Sequence, residues 1–201
     1  MAGWTRIFRA MGVALKNGAM SFRDYYDTEV DPLTRDGLTL AWNRPQFERR
    51  RRKLRCYSLI LLDIDNFKQI NDSYGHAQGD TVLRAVASVL RTSSGDRVFR
   101  VGGEEFAVLL AHCGAEDAEK VAERLVAKVR SLALLEGFPV TVSAGVAWSG
   151  EPPEDHDVVY RRADQALYFA KRTGKDRVAR WETRTVREPA PAPRAVVAAR
   201  N

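Results

Sequence analysis

Arg97-Val98-Phe99-Arg100-Val101-Gly102-Gly103-Glu104-Glu105-Phe106-Ala107-Val108-Leu109-Leu110 is the stretch that decides how this chain is read. Two runs with strand character, 97–101 and 106–110, flank two glycines and two glutamates. The glycines read as a hairpin turn, because Gly accepts φ > 0 and leaves the backbone open to close approach by a ligand. Two adjacent carboxylates are a poor choice for a purely structural turn, since like charges repel and Glu is depleted in strands. A bound cation reverses that penalty, because Mg²⁺ takes hard carboxylate oxygens.

A second acidic pair lies upstream. The apolar run 57–62 reads as a buried strand, and Asp63 and Asp65 stand at its C-terminal end, pointing at period two to the same side. Capping of a helix that begins near Asn66 would account for one carboxylate more easily than for two. Charges emerging from an apolar strand are costly to desolvate unless paired or metal-bound. Asp63 and Glu104, on adjacent strands, would hold Mg²⁺ on the phosphates of a nucleotide.

The chain has 201 residues, 45% of them hydrophobic, enough for one full domain with appendages. Its net charge of +6 favours anionic partners without choosing among them. The run Arg49-Arg50-Arg51-Arg52-Lys53 reads as the solvated face of a helix. No aromatic residues interleave it and no zinc-finger spacing appears, so nucleic acid is not an expected partner. Cys56 and Cys113 are far apart, without a CxxC pattern, and read as separate buried thiols. With no secretory signal and no bilayer-spanning stretch in view, the expected location is cytoplasmic.

Three regions are expected. Residues 1–30 form an N-terminal appendage in which Trp4, Ile7, Phe8, Met11 and Leu15 recur at helical spacing. Docking on the chain's own domain, dimerisation, a regulatory protein and contact with a membrane surface remain open for it. Residues 31–181 form the main domain. Residues 182–201 are a Pro/Ala-rich tail without a core-forming period, read as disordered. Within the domain, helices are expected at 45–54, 66–73, 80–91, 115–132 and 156–172, and further strands at 139–148 and 177–181. The helices need a sheet to cover, so the fold class is α+β (or α/β) with a central, mainly antiparallel sheet.

Several motifs in order now resemble one family, the GGDEF domain of diguanylate cyclases. They are Asp36-Gly37-Leu38-Thr39-Leu40-Ala41-Trp42-Asn43-Arg44, Asp63-Ile64-Asp65-Asn66-Phe67-Lys68-Gln69-Ile70-Asn71-Asp72, Gly75-His76-Ala77-Gln78-Gly79-Asp80, the signature Gly102-Gly103-Glu104-Glu105-Phe106, Thr141-Val142-Ser143-Ala144-Gly145-Val146-Ala147 and Arg162-Ala163-Asp164-Gln165-Ala166-Leu167-Tyr168. The resemblance spans residues 36–181. It implies a palm-like sheet and the condensation of two GTP into cyclic di-GMP with release of pyrophosphate. A catalytically silent module that binds GTP and docks a partner is the competing implication.

By that resemblance Asp63, the carbonyl of Ile64 and Glu104 bind Mg²⁺, with Mn²⁺ as a substitute. Glu105 assists deprotonation of the attacking 3′-hydroxyl, supports the metal or is simply solvated; all three roles stay open. Gly102 and Gly103 leave room for the nucleotide. Phe67 and Lys68 match positions whose backbone amides receive phosphates. Asn71 and Asp80 match the guanine-reading pair, although Asp80 could instead cap a helix beginning at Thr81. Lys171 and Lys175 match cations on the phosphates, Lys175 where the family usually has Arg, with Asp176 placed to draw some of its charge away. Leu40 and Ala41 replace a Gly-Leu pair in the opening motif. Ser93 stands where many members carry the arginine of an R-x-x-D product site, so little product inhibition is expected there. Each monomer would hold one GTP, making a homodimer part of the mechanism.

Overall fold

The computed structural model describes residues 34–95 and 97–182. The expected appendage at 1–30, the tail from residue 183 onward, and Asp96 lie outside them.

Helix α1 (Arg44–Arg51) opens with Asn43 as its N-cap, the side-chain oxygen accepting from the Gln46 amide, and with Pro45 in its first turn. Strand β1 (Tyr57–Ile64) is buried at all eight positions, as expected of an apolar run in the middle of a sheet. Helices α2 (Phe67–Tyr74) and α3 (His76–Ser94) follow, then β2 (Val98–Arg100) and β3 (Glu105–Ala111). Helix α4 (Ala115–Arg130), β4 (Val142–Trp148), α5 (His156–Arg172) and β5 (Val178–Arg180) complete the order.

The five strands form one sheet in the order β2-β3-β1-β4-β5. The first three pairings are antiparallel; β5 alone runs parallel to its neighbour, reached from β4 by way of α5. The sheet is therefore mainly antiparallel, as the sequence implied.

Alternation along β1 sorts the core into two layers. Ile60, Leu62 and Ile64 pack with Val82, Leu83, Val86 and Leu90 of α3 and with Leu125, Val126 and Val129 of α4. On the opposite face Tyr57, Leu59 and Leu61 meet Phe47 of α1 and Val159, Ala163 and Leu167 of α5. Gly145 on β4 is the point of closest approach to α5: a Cβ there would lie 2.1 Å from the Ala163 carbonyl oxygen and 2.3 Å from the Leu167 amide nitrogen.

The arginine run is not simply a solvated face. Arg51 is buried and pairs with Glu48 (2.6 Å) and with Asp157 of α5 (2.7 Å). Arg35 and Arg50 stack over the ring of buried Trp42, at 3.5 and 3.9 Å from its centroid. A charge run in sequence says nothing of the aromatic and acidic partners that the fold supplies from elsewhere.

Helix α3 begins at His76, four residues before the expected start, because Gly75 (φ 81) makes the break between α2 and α3. Asp80 consequently lies inside the helix and does not cap it. Its carboxylate stands 4.0 Å from Arg84, one turn on.

Candidate active site

One end of the sheet collects the acidic end of β1, the β2–β3 loop, the start of α2 and the end of α5. Asp63 pairs in register with Glu105 on β3 and with Ser143 on β4. The Ile64 amide donates to the Glu104 carbonyl at 3.3 Å, so the ladder carries one step beyond β3 into the signature loop. Asp63 thus meets Glu104 and Glu105, 41 and 42 residues further along the sequence, in one neighbourhood.

The two aspartates do face the same side, with different tasks. Asp63 receives the ammonium of Lys171 from the last turn of α5 at 2.7 Å. Burial pushes its carboxyl up to about 6; the Lys171 hydrogen bond and charge oppose that, and the charges of Glu104 and Glu105 add to it. Asp65 is buried and accepts from Thr141 Oγ1 (2.8 Å), Ser143 Oγ (2.7 Å) and the Asp176 amide (3.0 Å). It does not cap α2, whose N-cap is Asn66 in the left-handed region (φ 56) without a side-chain cap bond. Asp65 instead ties the β1–α2, β4 and α5–β5 segments together.

Phe67 and Lys68 occupy the first positions of α2, Phe67 buried and Lys68 exposed. Asn71, also on α2, packs against the first turn of α3: a Cβ on Gly79 would lie 1.9 Å from Asn71 Oδ1. The absence of a side chain at Gly79 is what admits Asn71 beside Asp80. Phe67 Cζ would be 3.3 Å from that same Cβ, so Phe67, Asn71 and the turn bearing Asp80 form one cluster.

The signature glycines do not adopt the left-handed conformation that their hairpin position suggested; the positive φ values among the described residues lie elsewhere. What Gly102 leaves open is space for Glu105, since a Cβ there would lie 2.2 Å from Glu105 Oε2 and that carboxylate would have to shift. Gly103 has open space where a side chain would go. Arg100, read in sequence as a strand residue, braces the loop. Its Nε and Nη2 donate to the Gly103 carbonyl (3.0 and 2.7 Å) and its Nη1 to Asp36 Oδ1 (3.0 Å). Asp36 also accepts from the Thr39 amide (2.9 Å) and hydroxyl (2.7 Å), so the opening motif is pinned to the signature loop through one guanidinium.

Lys175 and Asp176 both have positive φ (59° and 49°). Asp176 does not draw on Lys175. Its carboxylate takes Arg130 Nε at 2.6 Å from α4, and its other oxygen, Oδ1, is buried without a partner. Lys175 Nζ donates to Asn66 Oδ1. Sequence adjacency misled here because the left-handed backbone turns the two side chains apart.

Of the residues expected at the site, Asp63, Glu104, Glu105, Gly102, Gly103, Phe67, Lys68, Lys171 and Lys175 lie at this end of the sheet, and Asn71 and Asp80 adjoin it through Phe67. Gly79, Arg100, Arg130, Thr141 and Ser143 were not assigned roles in advance. Thr141 and Ser143 sit in a polar alternation within an apolar strand, which is the signal that could have found them.

The donor set fits a hard divalent cation. Two carboxylates and a main-chain carbonyl offer oxygens only, and the negative charge around Asp63 exceeds the single ammonium that answers it. No group of three or more His, Cys, Asp or Glu side chains among the described residues is arranged to hold a metal ion.

Residues 34–177 match the family model described as diguanylate cyclase, GGDEF domain. A curated relative, diguanylate cyclase DgcM of Escherichia coli (strain K12), is 46% identical over 125 residues, covering 61% of this chain and 30% of that protein. The crystal structure of the GGDEF domain of DgcB from Caulobacter crescentus, in complex with c-di-GMP, superposes with a TM-score of 0.70 at 35% identity, covering 75% of this chain and 94% of that one. The active GGEEF domain of a diguanylate cyclase from Vibrio cholerae superposes with a TM-score of 0.60 at 38% identity, covering 69% and 91%. The chain spans less than half the length of the curated relatives it matches. A palm-like sheet, a Gly-Gly-Glu-Glu-Phe loop beside the acidic end of its central strand, and these likenesses place the chain in the GGDEF family of diguanylate cyclases.

Proposed function

We propose that this domain condenses two GTP into cyclic di-GMP, releasing two pyrophosphates. The observation that carries the reading is the convergence of Asp63, Glu104 and Glu105 at one sheet end with Lys171 placed over Asp63 at 2.7 Å. Asp63, the Ile64 carbonyl and Glu104 would hold Mg²⁺, or Mn²⁺ in its place. When bound, that ion neutralises triphosphate charge and favours departure of pyrophosphate.

The remaining roles belong to the chain's own groups. The amides of Phe67 and Lys68 at the start of α2 receive phosphate oxygens. Lys171 exchanges part of its contact with Asp63 for the terminal phosphates, and Lys175 approaches them from the α5–β5 loop. Asp80 accepts from guanine N1–H and N2–H₂, a donor pair that adenine lacks, with Asn71 alongside. Glu105 takes the proton of the attacking 3′-hydroxyl at its carboxylate, which is held over Gly102. Open space at Gly103 admits the sugar and phosphates.

One domain presents one such set of groups, so the second GTP comes from a second copy facing it antiparallel. Residues 1–30 are the segment proposed to promote that pairing or to receive a regulatory protein. No helix among the described residues is long and apolar enough to cross a membrane.

The test is incubation of the chain with GTP and Mg²⁺, with products identified by mass, alongside Asp63→Ala and Glu104→Ala. Cyclic di-GMP and pyrophosphate from the parent and neither from the variants is the expected result. GTP binding by a confirmed dimer with no product would make this a silent nucleotide-binding module.

A further inference from the structure

At the opposite end of the sheet from Asp63 lies a cleft of about 270 Å³ lined by Cys56, His112, Cys113, Gly114, Trp148 and Glu151. It holds both cysteines of the chain, which the sequence suggested were separate buried thiols. Each is half-buried and unbridged.

The sheet register brings them together. The antiparallel ladder of β1 and β3 runs to Tyr57 and Ala111, and one step further the His112 amide donates to the Cys56 carbonyl at 2.9 Å. Cys56 therefore stands across from His112, the residue before Cys113. Two residues further into β1, on the face that period two shares with Cys56, buried Ser58 donates from Oγ to the Cys113 carbonyl at 2.7 Å and ties the Cys113 backbone to β1. Residues facing each other across an antiparallel pair have Cα atoms about 4.5–5.5 Å apart; Cys113 is one residue beyond the one that faces Cys56, and cysteines can be bridged when their Cα atoms are within about 7 Å. His112 has φ 53, so the chain leaves the ladder there and turns Cys113 toward the face that carries α4, against which its side chain packs.

We propose that Cys56 and Cys113 form a reversible dithiol–disulfide pair, oxidised by a peroxide. Sulfur of Cys56 attacks a peroxide oxygen, the O–O bond breaks, and water leaves with the thiol proton. Sulfur of Cys113 then displaces the hydroxyl from the Cys56 sulfenic acid as a second water, closing the S–S bond. The two thiols lose two electrons and two protons; the peroxide gains both. Burial, with Asp117 nearby, holds the Cys113 thiol above its ordinary range, which disfavours it as the attacking thiolate and suits it to the second step. The bridge would clamp the start of β1 to the corner where β3 gives way to α4, and a dithiol reductant would reopen it.

The test uses the full chain, folded and freed of reductant, treated with hydrogen peroxide and then alkylated in denaturant. The expected product is a monomer lighter by two hydrogens, resistant to alkylation at both cysteines, yielding one linked Cys56–Cys113 peptide and restored by dithiothreitol. It should form at least about tenfold faster in the folded chain than in urea, because the fold supplies the proximity. Cys56→Ser and Cys113→Ser should each abolish it. Two cysteines still alkylated, oxygen adducts on one cysteine, bridging only between chains, or equal rates in urea would each overturn the proposal.

Discussion

The carboxylate of Glu105 occupies the space that any side chain at Gly102 would need, with Oε2 2.2 Å from the position of a Cβ. The first glycine of the signature therefore serves the second glutamate. Gly102→Ala should displace that carboxylate and lower turnover about 10²-fold, the scale of a misplacement near 1 Å at a reacting centre. Its thermal midpoint should stay close to the parent's, because the displaced group is exposed. Gly103→Ala meets nothing within 4 Å and should leave Glu105 in place. Steady-state rates and thermal melts of the two variants check the contrast; equal losses of rate would contradict it.

Leu40 carries a left-handed backbone (φ 58) on an exposed side chain, where the family's opening motif has glycine. Leu40 therefore bears backbone strain that glycine would not. Leu40→Gly should raise stability by about 1 kcal/mol, since a non-glycine residue in that region costs about 1–3 kcal/mol and little packing is lost. A lowered urea midpoint would show that Leu40 makes a compensating contact.

Gly145→Ala should do the reverse. The added methyl meets the Ala163 carbonyl and the Leu167 amide of α5, backbone atoms that cannot move aside alone. A loss of about 3 kcal/mol or more is expected. Because α5 carries Lys171 to Asp63, any folded fraction should also bind GTP less tightly, which titration calorimetry would read.

Asp36 supplies the pH dependence. Burial raises its carboxyl, but hydrogen bonds from Thr39 and Arg100 and the Arg100 charge outweigh that and hold it below the usual range. A depressed folded value means stability that is present above about pH 4, near the unfolded value, and lost as pH falls through the folded one. Unfolding midpoints of wild type minus Asp36→Asn should be flat near neutrality and shrink below about pH 4. A difference that grows on acidification would contradict the assigned partners.

Product inhibition through the position of Ser93 should be weak. Ser93 stands where an arginine would be expected, and its hydroxyl accepts from Lys128 at 2.9 Å, an exposed contact with no guanidinium. Progress curves of GTP consumption should bend only with substrate depletion. Early curvature reproduced by added cyclic di-GMP would contradict this.

The strands and helices were legible because their apolar periods are strong: the inward set of α5, from Val159 to Ala170, is buried as the pattern required. So was the acidic pairing of Asp63 with the signature loop, since carboxylates ending an apolar strand need a physical reason. What could not be read was which distant residue answers which. Arg51 looked solvated until Asp157 came to it from 106 residues away. Asp176 looked like a partner for Lys175 until Arg130 claimed it. Backbone sign was equally hidden: Leu40, Lys175 and Asp176 took the left-handed region that composition assigns to glycine, while Gly102 did not.

Asp65 takes its three partners from 76, 78 and 111 residues downstream. On the ribosome this buried carboxylate waits, unanswered, through most of the domain's synthesis, and the loop bearing Asp176 is the last of its partners to emerge. Nucleotide capture should therefore report completed folding, appearing in a single late step with no partial signal from earlier nascent chains.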